Sequence, residues 1–151
     1  MSVYLLDINL LVALLWTNHE QHEAARAWFK AQRRSDWATC PFTQAGFVRV
    51  SSNPRVFREA PSPGKAVEVL EANRRHPRHR FWEDDVSFAE AVAPFVDLLT
   101  GHQQVTDAYL LGLAIRRGGI LATFDTGIAA LVESRLGRSR SIEILPFPGY
   151  L

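Results

Sequence analysis

Val3-Tyr4-Leu5-Leu6-Asp7-Ile8-Asn9-Leu10-Leu11-Val12 decides how the chain folds. Val3 to Leu6 is an unbroken apolar run, the pattern of a short strand buried on both faces, and such strands belong to parallel sheets. Asp7 interrupts it, and Leu10, Leu11, Val12, Leu14 and Leu15 then read as a buried first helix. A strand that passes through a polar residue into a helix opens a β-α unit. The acid therefore falls at a strand's carboxyl end, where open α/β sheets form their ligand crevice. A carboxylate buried there costs on the order of several kcal/mol unless something offsets its charge, and a hard divalent cation is the cheapest candidate.

The pattern recurs along the chain. His19 to Arg34 reads as an amphipathic helix with Ala24, Ala25, Trp28 and Phe29 on one face. Asp36 to Cys40 reads as a second strand. Pro41 sits near the start of the next helix, where proline is tolerated, and that helix ends around Ser52-Asn53-Pro54. Pro61-Ser62-Pro63-Gly64 is a loop, followed by a helix from about Gly64 to Arg74. His76 to Arg80 reads as a basic connector, with Phe81 and Trp82 as a short third strand. Phe88 to Leu98 is helical but interrupted by Pro94. Val105 to Arg117 is a helix closed by Gly118-Gly119; Ile120 to Thr123 and Ile142 to Leu145 complete the strands. Strands alternating with helices predict a single α/β domain over residues 1–151, three-layered α/β/α, around a central, mostly parallel five-stranded sheet.

Composition bounds the function classes. Hydrophobic residues make up 47% and charged residues 22%, an ordinary globular balance. The formal net charge of +1 names no polyanion partner by itself, although 15 of the 17 basic residues are Arg. Arg forks onto phosphate better than Lys does, but a GC-rich genome would give the same bias. The one cysteine, Cys40, excludes an internal disulfide framework and a cysteine zinc site. The apolar run at the N-terminus is broken by Asp7 and Asn9 and is too short to span a bilayer. It carries no basic leader or cleavage site, so the expected location is the cytoplasm.

Three segments end an apolar stretch on an acid or set one at a helix start: Leu5-Leu6-Asp7, Thr106-Asp107-Ala108 and Leu121-Ala122-Thr123-Phe124-Asp125. Each has a local explanation. Asp7 can cap the helix beginning at Ile8, Asp107 can be a first-turn acid favoured by the helix dipole, and Asp125-Thr126-Gly127 can be a turn. Taken together they point to a shared crevice. Two carboxylates about 4 Å apart repel by roughly 4 kcal/mol at an effective dielectric near 20, so three stay ionised together only around a cation. Oxygen ligands select hard ions such as Mg²⁺ or Mn²⁺, which activate water and neutralise phosphoryl charge. Asn9, Thr106 and Thr123 are placed to orient such carboxylates.

These segments, with Cys40-Pro41-Phe42-Thr43-Gln44-Ala45-Gly46-Phe47-Val48-Arg49-Val50, resemble a PIN-domain protein of the VapC ribonuclease-toxin type over essentially the whole chain. The resemblance implies a five-stranded parallel sheet and an endoribonuclease dependent on Mg²⁺ or Mn²⁺, acting on structured RNA such as tRNA or rRNA. It implies a homodimer silenced by a cognate antitoxin whose C-terminal segment wraps the toxin. The family's catalytic metal ligands map onto Asp7, Asp107 and Asp125. Where the family usually has Glu, this chain has Gln44, and no acid lies between Asp36 and Glu59. Gln keeps a carbonyl acceptor but loses the charge. Three readings stay open: an enzyme that works with three acids, a variant of reduced activity, or an inactivating substitution. The rival function is a PIN module that binds RNA or an antitoxin partner without cleavage. A phosphoaspartate receiver is disfavoured because neither Lys30 nor Lys65 follows a late strand.

Among other residues, Arg49 is a candidate for the crevice wall or a phosphate contact. Arg74, Arg75, Arg78 and Arg80 with His76 and His79 suit either an RNA backbone or a solvated loop. His19 and His22 have ligand-like spacing but no nearby acid on the same face except Glu23, and the four tryptophans read as core or interface.

Overall fold

The computed structural model describes residues 2–137 and 140–146. Five strands, β1 (Val3–Leu6), β2 (Asp36–Thr39), β3 (His79–Phe81), β4 (Ile120–Thr123) and β5 (Ile142–Ile144), form one sheet in the order β3-β2-β1-β4-β5. Every pairing is parallel, with Leu5 opposite Ala38 on one side and Leu121 on the other. Among the described residues seven α-helices cover it: α1 (Ile8–Leu15), α2 (His22–Ala31), α3 (Pro41–Ser51), α4 (Pro63–Arg74), α5 (Phe88–Val92), α6 (Val105–Arg116) and α7 (Gly127–Leu136).

Strand alternation divides the apolar side chains between two cores. Leu5, Ala38 and Leu121 point to the face packed by Ala91, Val92, Leu110, Leu111, Leu113, Ile128 and Val132 of α5, α6 and α7. Tyr4, Leu6, Trp37 and Ala122 point to the other, packed by Leu10, Leu11, Phe47, Ala66 and Leu70 of α1, α3 and α4. Both faces are sealed, which is why the strands read as continuous apolar runs rather than alternating ones.

The chain moves outward from β1 to β2 and β3, then returns across the sheet through α6 to β4 and β5. Direction therefore reverses between β1 and β4, and ligand crevices of such sheets open at the carboxyl ends there. The return is held in place locally. Gly118, at φ +66, ends α6 in a Schellman turn, with Gly119 N–H donating to Ala114 O at 2.8 Å and Gly118 N–H to Ile115 O at 3.1 Å. β4 starts at the very next residue.

Three elements differ from the sequence reading. The third strand is His79–Phe81 rather than Phe81-Trp82, so the last two residues of the basic connector are sheet. Its polar residues are compatible with an edge strand: His79 Nε2 bonds the buried Thr39 hydroxyl at 2.8 Å, and Arg80 pairs with Asp36 at 2.9 Å. The second helix is shorter, His22–Ala31, because His19 Nδ1 accepts Gln21 N–H at 3.0 Å and holds a turn before it. Helix α7 has no counterpart in the sequence reading, and Ile128 and Val132 bury it against the sheet. The break at Pro94 is present, with a 3-10 turn at Val96–Leu98 beyond it. Cys40 is fully buried and starts α3, its backbone N–H donating to Thr43 Oγ1 at 3.0 Å.

Candidate active site

Asp7, Ile8, Asn9, Arg49, Val50, Gln103, Thr106, Asp107, Leu110 and Asp125 line one cleft of about 230 Å³. It lies where the sheet order reverses, beyond β1 and β4. The three aspartates arrive on three separate elements, and each keeps a local task as well.

Asp7 caps α1: its Oδ1 accepts Leu10 N–H at 2.7 Å. Its Oδ2 accepts the hydroxyl of Thr123, at the end of β4. The residue is 4% exposed. Burial pushes its carboxyl up to about 6; the bonds from Thr123 and Leu10 oppose that rise, and the charge of Asp125 adds to it. Thr123 is a fully buried hinge between two acids, donating to Asp7 and accepting Asp125 N–H at 3.0 Å. Asp125 closes the turn that launches α7, its Oδ1 accepting Gly127 N–H at 2.7 Å.

Asp107 sits in the first turn of α6. Burial lifts its carboxyl to about 7, reinforced by a hydrogen bond with Asp125 and by the charges of Asp7 and Asp125. Asp107 is thus held toward its neutral form by burial and by the acids around it. Arg49 shares the cleft but is not among the charges that set either raised carboxyl.

Asn9 and Thr106 line the same cleft. Gln44 does not; its Nε2 donates to Thr39 Oγ1 at 3.0 Å. Thr39 also bonds His79 Nε2, whose pKa is lowered to about 4 by burial and by Arg74. A neutral His79 accepts the Thr39 proton, so Thr39 can accept from the Gln44 amide. Position 44 is thereby tied to β2 and β3. The other metal-like spacing is spent on structure: His22 Nδ1 bonds Ala13 O at 2.9 Å.

Three carboxylates are the donor set a hard divalent cation takes. As placed, no three acids, histidines or cysteines among the described residues already stand as a ligand cage. The hydrogen bonds engage these oxygens: both of Asp7 accept donors, and Asp107 bonds Asp125. Three carboxyl groups in one cleft fit a hard cation that takes the place of those bonds.

The sequence reading missed Gln103, which lies in a 3-10 turn before α6 and carries no motif. It also missed Tyr109, whose hydroxyl donates to Asp84 at 2.8 Å. Tyr109 stands beside Phe42 and Phe88 in an apolar groove of about 290 Å³ that meets the acid cleft at Thr106. Size alone does not mark the site: a cavity of about 340 Å³ at Ala31–Ser35 has no acid in its lining. No helix among the described residues is long and apolar enough to cross a membrane.

Residues 4–133 match the PIN domain family. Ribonuclease VapC38 of Mycobacterium tuberculosis is 50% identical over 131 residues, which cover 87% of this chain and 91% of that protein. Ribonuclease VapC39 of the same species is 44% identical over 125 residues, covering 83% and 90%. Among solved structures, the crystal structure of M. tuberculosis VapC20, described as a sarcin-ricin loop cleaving toxin, superposes with a TM-score of 0.64 over 95% of this chain and 99% of that one. At 16% identity that likeness is one of fold. A parallel five-stranded sheet, acids gathered where its order reverses, and half-identical relatives over nearly the full length lead to one assignment: the chain belongs to the PIN-domain family, among the VapC ribonucleases.

Proposed function

We propose that the protein is a Mg²⁺- or Mn²⁺-dependent endoribonuclease toxin that cleaves structured RNA and is silenced by a cognate antitoxin. The observation that carries the reading is the meeting of Asp7, Asp107 and Asp125 in one cleft, with two of them driven toward neutrality by burial and by one another. Carboxyl groups perturbed in this way cluster at functional sites. Asp7, Asp107 and Asp125 would hold the ion, which when bound supplies Lewis-acid activation of water and offsets charge on the phosphoryl oxygens. The protein's part is orientation. Leu10 N–H and Thr123 fix both oxygens of Asp7, Thr123 ties Asp125 to the same hydroxyl, and α6 delivers Asp107 from the far side of the sheet.

The groove of Phe42, Phe88 and Tyr109 supports the antitoxin part of the reading. Phe42 is 41% and Phe88 48% exposed, and a peptide segment covering them would reach the acid cleft at Thr106. A homodimer is the assembly proposed from the family likeness. The test is RNA cleavage by purified protein with Mn²⁺, lost in Asp7→Asn and Asp107→Asn; unchanged cleavage by Asp7→Asn would refute the proposal. A second reading, a PIN module that binds without cutting, draws on Gln44 being tied to Thr39 outside the cleft lining. No uptake of Mg²⁺ or Mn²⁺ at millimolar concentration, together with retained RNA or antitoxin binding, would favour it.

A further inference from the structure

We propose that Arg49 is the residue that grips the substrate's phosphate backbone at the mouth of the acid cleft. The inference rests on the nuclease reading above and adds to it a residue that touches the substrate.

Placement comes first. Helix α3 lies hard against the start of α1 because residue 46 is glycine: a Cβ there would collide with Ile8 Cδ1 and stand 2.6 Å from Ile8 Cγ1. Ile8 directly follows Asp7. This close approach carries the next turn of α3 to the cleft, so Arg49 and Val50 form one wall while Gln103, Thr106, Asp107 and Leu110 form another. Arg49 is exposed, and among the described residues no ion pair engages its guanidinium although three carboxylates share its cleft.

Three arginines of the basic segment are committed. Arg74 pairs with Glu71 and lies 5.5 Å over Phe81, and Arg80 pairs with Asp36. Arg78 donates to the carbonyls of Gln32 and Ser35, both at 2.7 Å. The basic segment 74–80 is thus largely occupied with holding the edge of the sheet. Arg49 is the cation in the cleft lining itself.

Charge balance gives it a purpose. Three carboxylates and a divalent cation leave the cleft one negative charge in excess, and a phosphodiester brings another. Arg49 brings the cleft to neutrality before the substrate arrives. Its fork presents parallel N–H donors that match two phosphate oxygens, which an ammonium cannot do.

The experiment uses the full chain carrying Asp107→Asn, in EDTA so that nothing is cleaved, and fluorescently labelled bulk tRNA. Affinity is measured across a KCl series for this parent and for added Arg49→Met and Arg49→Lys. A lost phosphate contact makes the plot of log affinity against log salt shallower by about 0.7–0.9. We expect that change for Arg49→Met with an affinity loss of about three- to tenfold, and for Arg49→Lys an intact slope with a smaller loss. The Arg49→Met change in the wild-type background should leave the Mn²⁺-induced rise in Tm in place, which separates a phosphate grip from a role in folding or metal binding. Unchanged slope and affinity in Arg49→Met, or loss of the Mn²⁺ response, overturns the proposal. A parent that binds no tRNA at any salt overturns this proposal, while the nuclease reading stands or falls separately on RNA cleavage by the wild type with Mn²⁺.

Discussion

Replacing Asp107 by Asn should make the metal-free protein more stable at pH 8 while removing its activity. The carboxyl of Asp107 is raised to about 7 by burial, by its bond to Asp125 and by two neighbouring charges. An acid whose pKa is higher folded than unfolded binds more protons in the folded state, so stability falls as pH rises, here from about 4 to about 7. A shift of about three units has a ceiling near 4 kcal/mol above pH 7. Asp107 is partly exposed, and solvent screening brings that to about 1–2 kcal/mol. Asn keeps the shape and an N–H that can donate to Asp125, and it carries no charge to bury. For a domain of this size the gain corresponds to a Tm rise of roughly 3–6 °C. The assay is thermal unfolding in EDTA at pH 8 and pH 5. At pH 5 the folded carboxyl is protonated while the unfolded one is already ionised, so the advantage of Asn should fall to roughly a third of its pH 8 value. Adding Mn²⁺ at pH 8 should reverse the ranking, since an ion at 100 times its Kd stabilises the wild type by about 2.7 kcal/mol and the variant far less. An Asp107→Asn protein that is less stable than wild type at pH 8, or equally stabilised at both pH values, would refute the reasoning that the cleft stores like charge for a cation.

Two more substitutions probe the surroundings of the cleft. Gln44→Glu should raise apparent Mn²⁺ affinity and cleavage rate by up to about tenfold, or about 1.4 kcal/mol, and should raise the pKa of His79 in an NMR titration because Thr39 would then donate to the new carboxylate; an unmoved His79 would show that the Thr39 link is not operating. Gly46→Ala drives a methyl group into Ile8 and should cost about 1–3 kcal/mol in urea unfolding, with weaker RNA binding as Arg49 is pushed from the cleft. Unchanged stability would refute the close apposition of α3 and α1.

Much of this arrangement was legible in the sequence, and the reason is physical. Val3–Leu6 and Ile120–Thr123 lie in the middle of a sheet sealed on both faces, so burial wrote itself into continuous apolar runs. Elements at the margin left weaker marks. His79–Phe81 is an edge strand whose polar side chains are satisfied by Thr39 and Asp36, residues forty or more positions away. Helix α7 begins on an Asx turn and a glycine, which read locally as a loop, and only the burial of Ile128 and Val132 identifies it. The direction of Gln44 and the occupation of Arg74, Arg78 and Arg80 depend on partners brought in by folding, and no spacing rule carries them.

The three aspartates show why local and functional readings of one residue need not compete. Asp7 does cap α1, Asp107 does stand in the first turn of α6, and Asp125 does close a turn. Those tasks use geometry that places each carboxylate at the same end of the sheet, so the local role is the means by which the cleft is assembled. Capping and turn formation need an acceptor oxygen and tolerate Asn nearly as well as Asp. Binding a cation needs the charge. Asp→Asn therefore divides the two roles at every one of these positions: the helices and turns should persist while the affinity for Mn²⁺ falls. Substitution by Ala would remove both at once, and for Asp7 it would also strand the Thr123 hydroxyl and the Leu10 N–H without their acceptor.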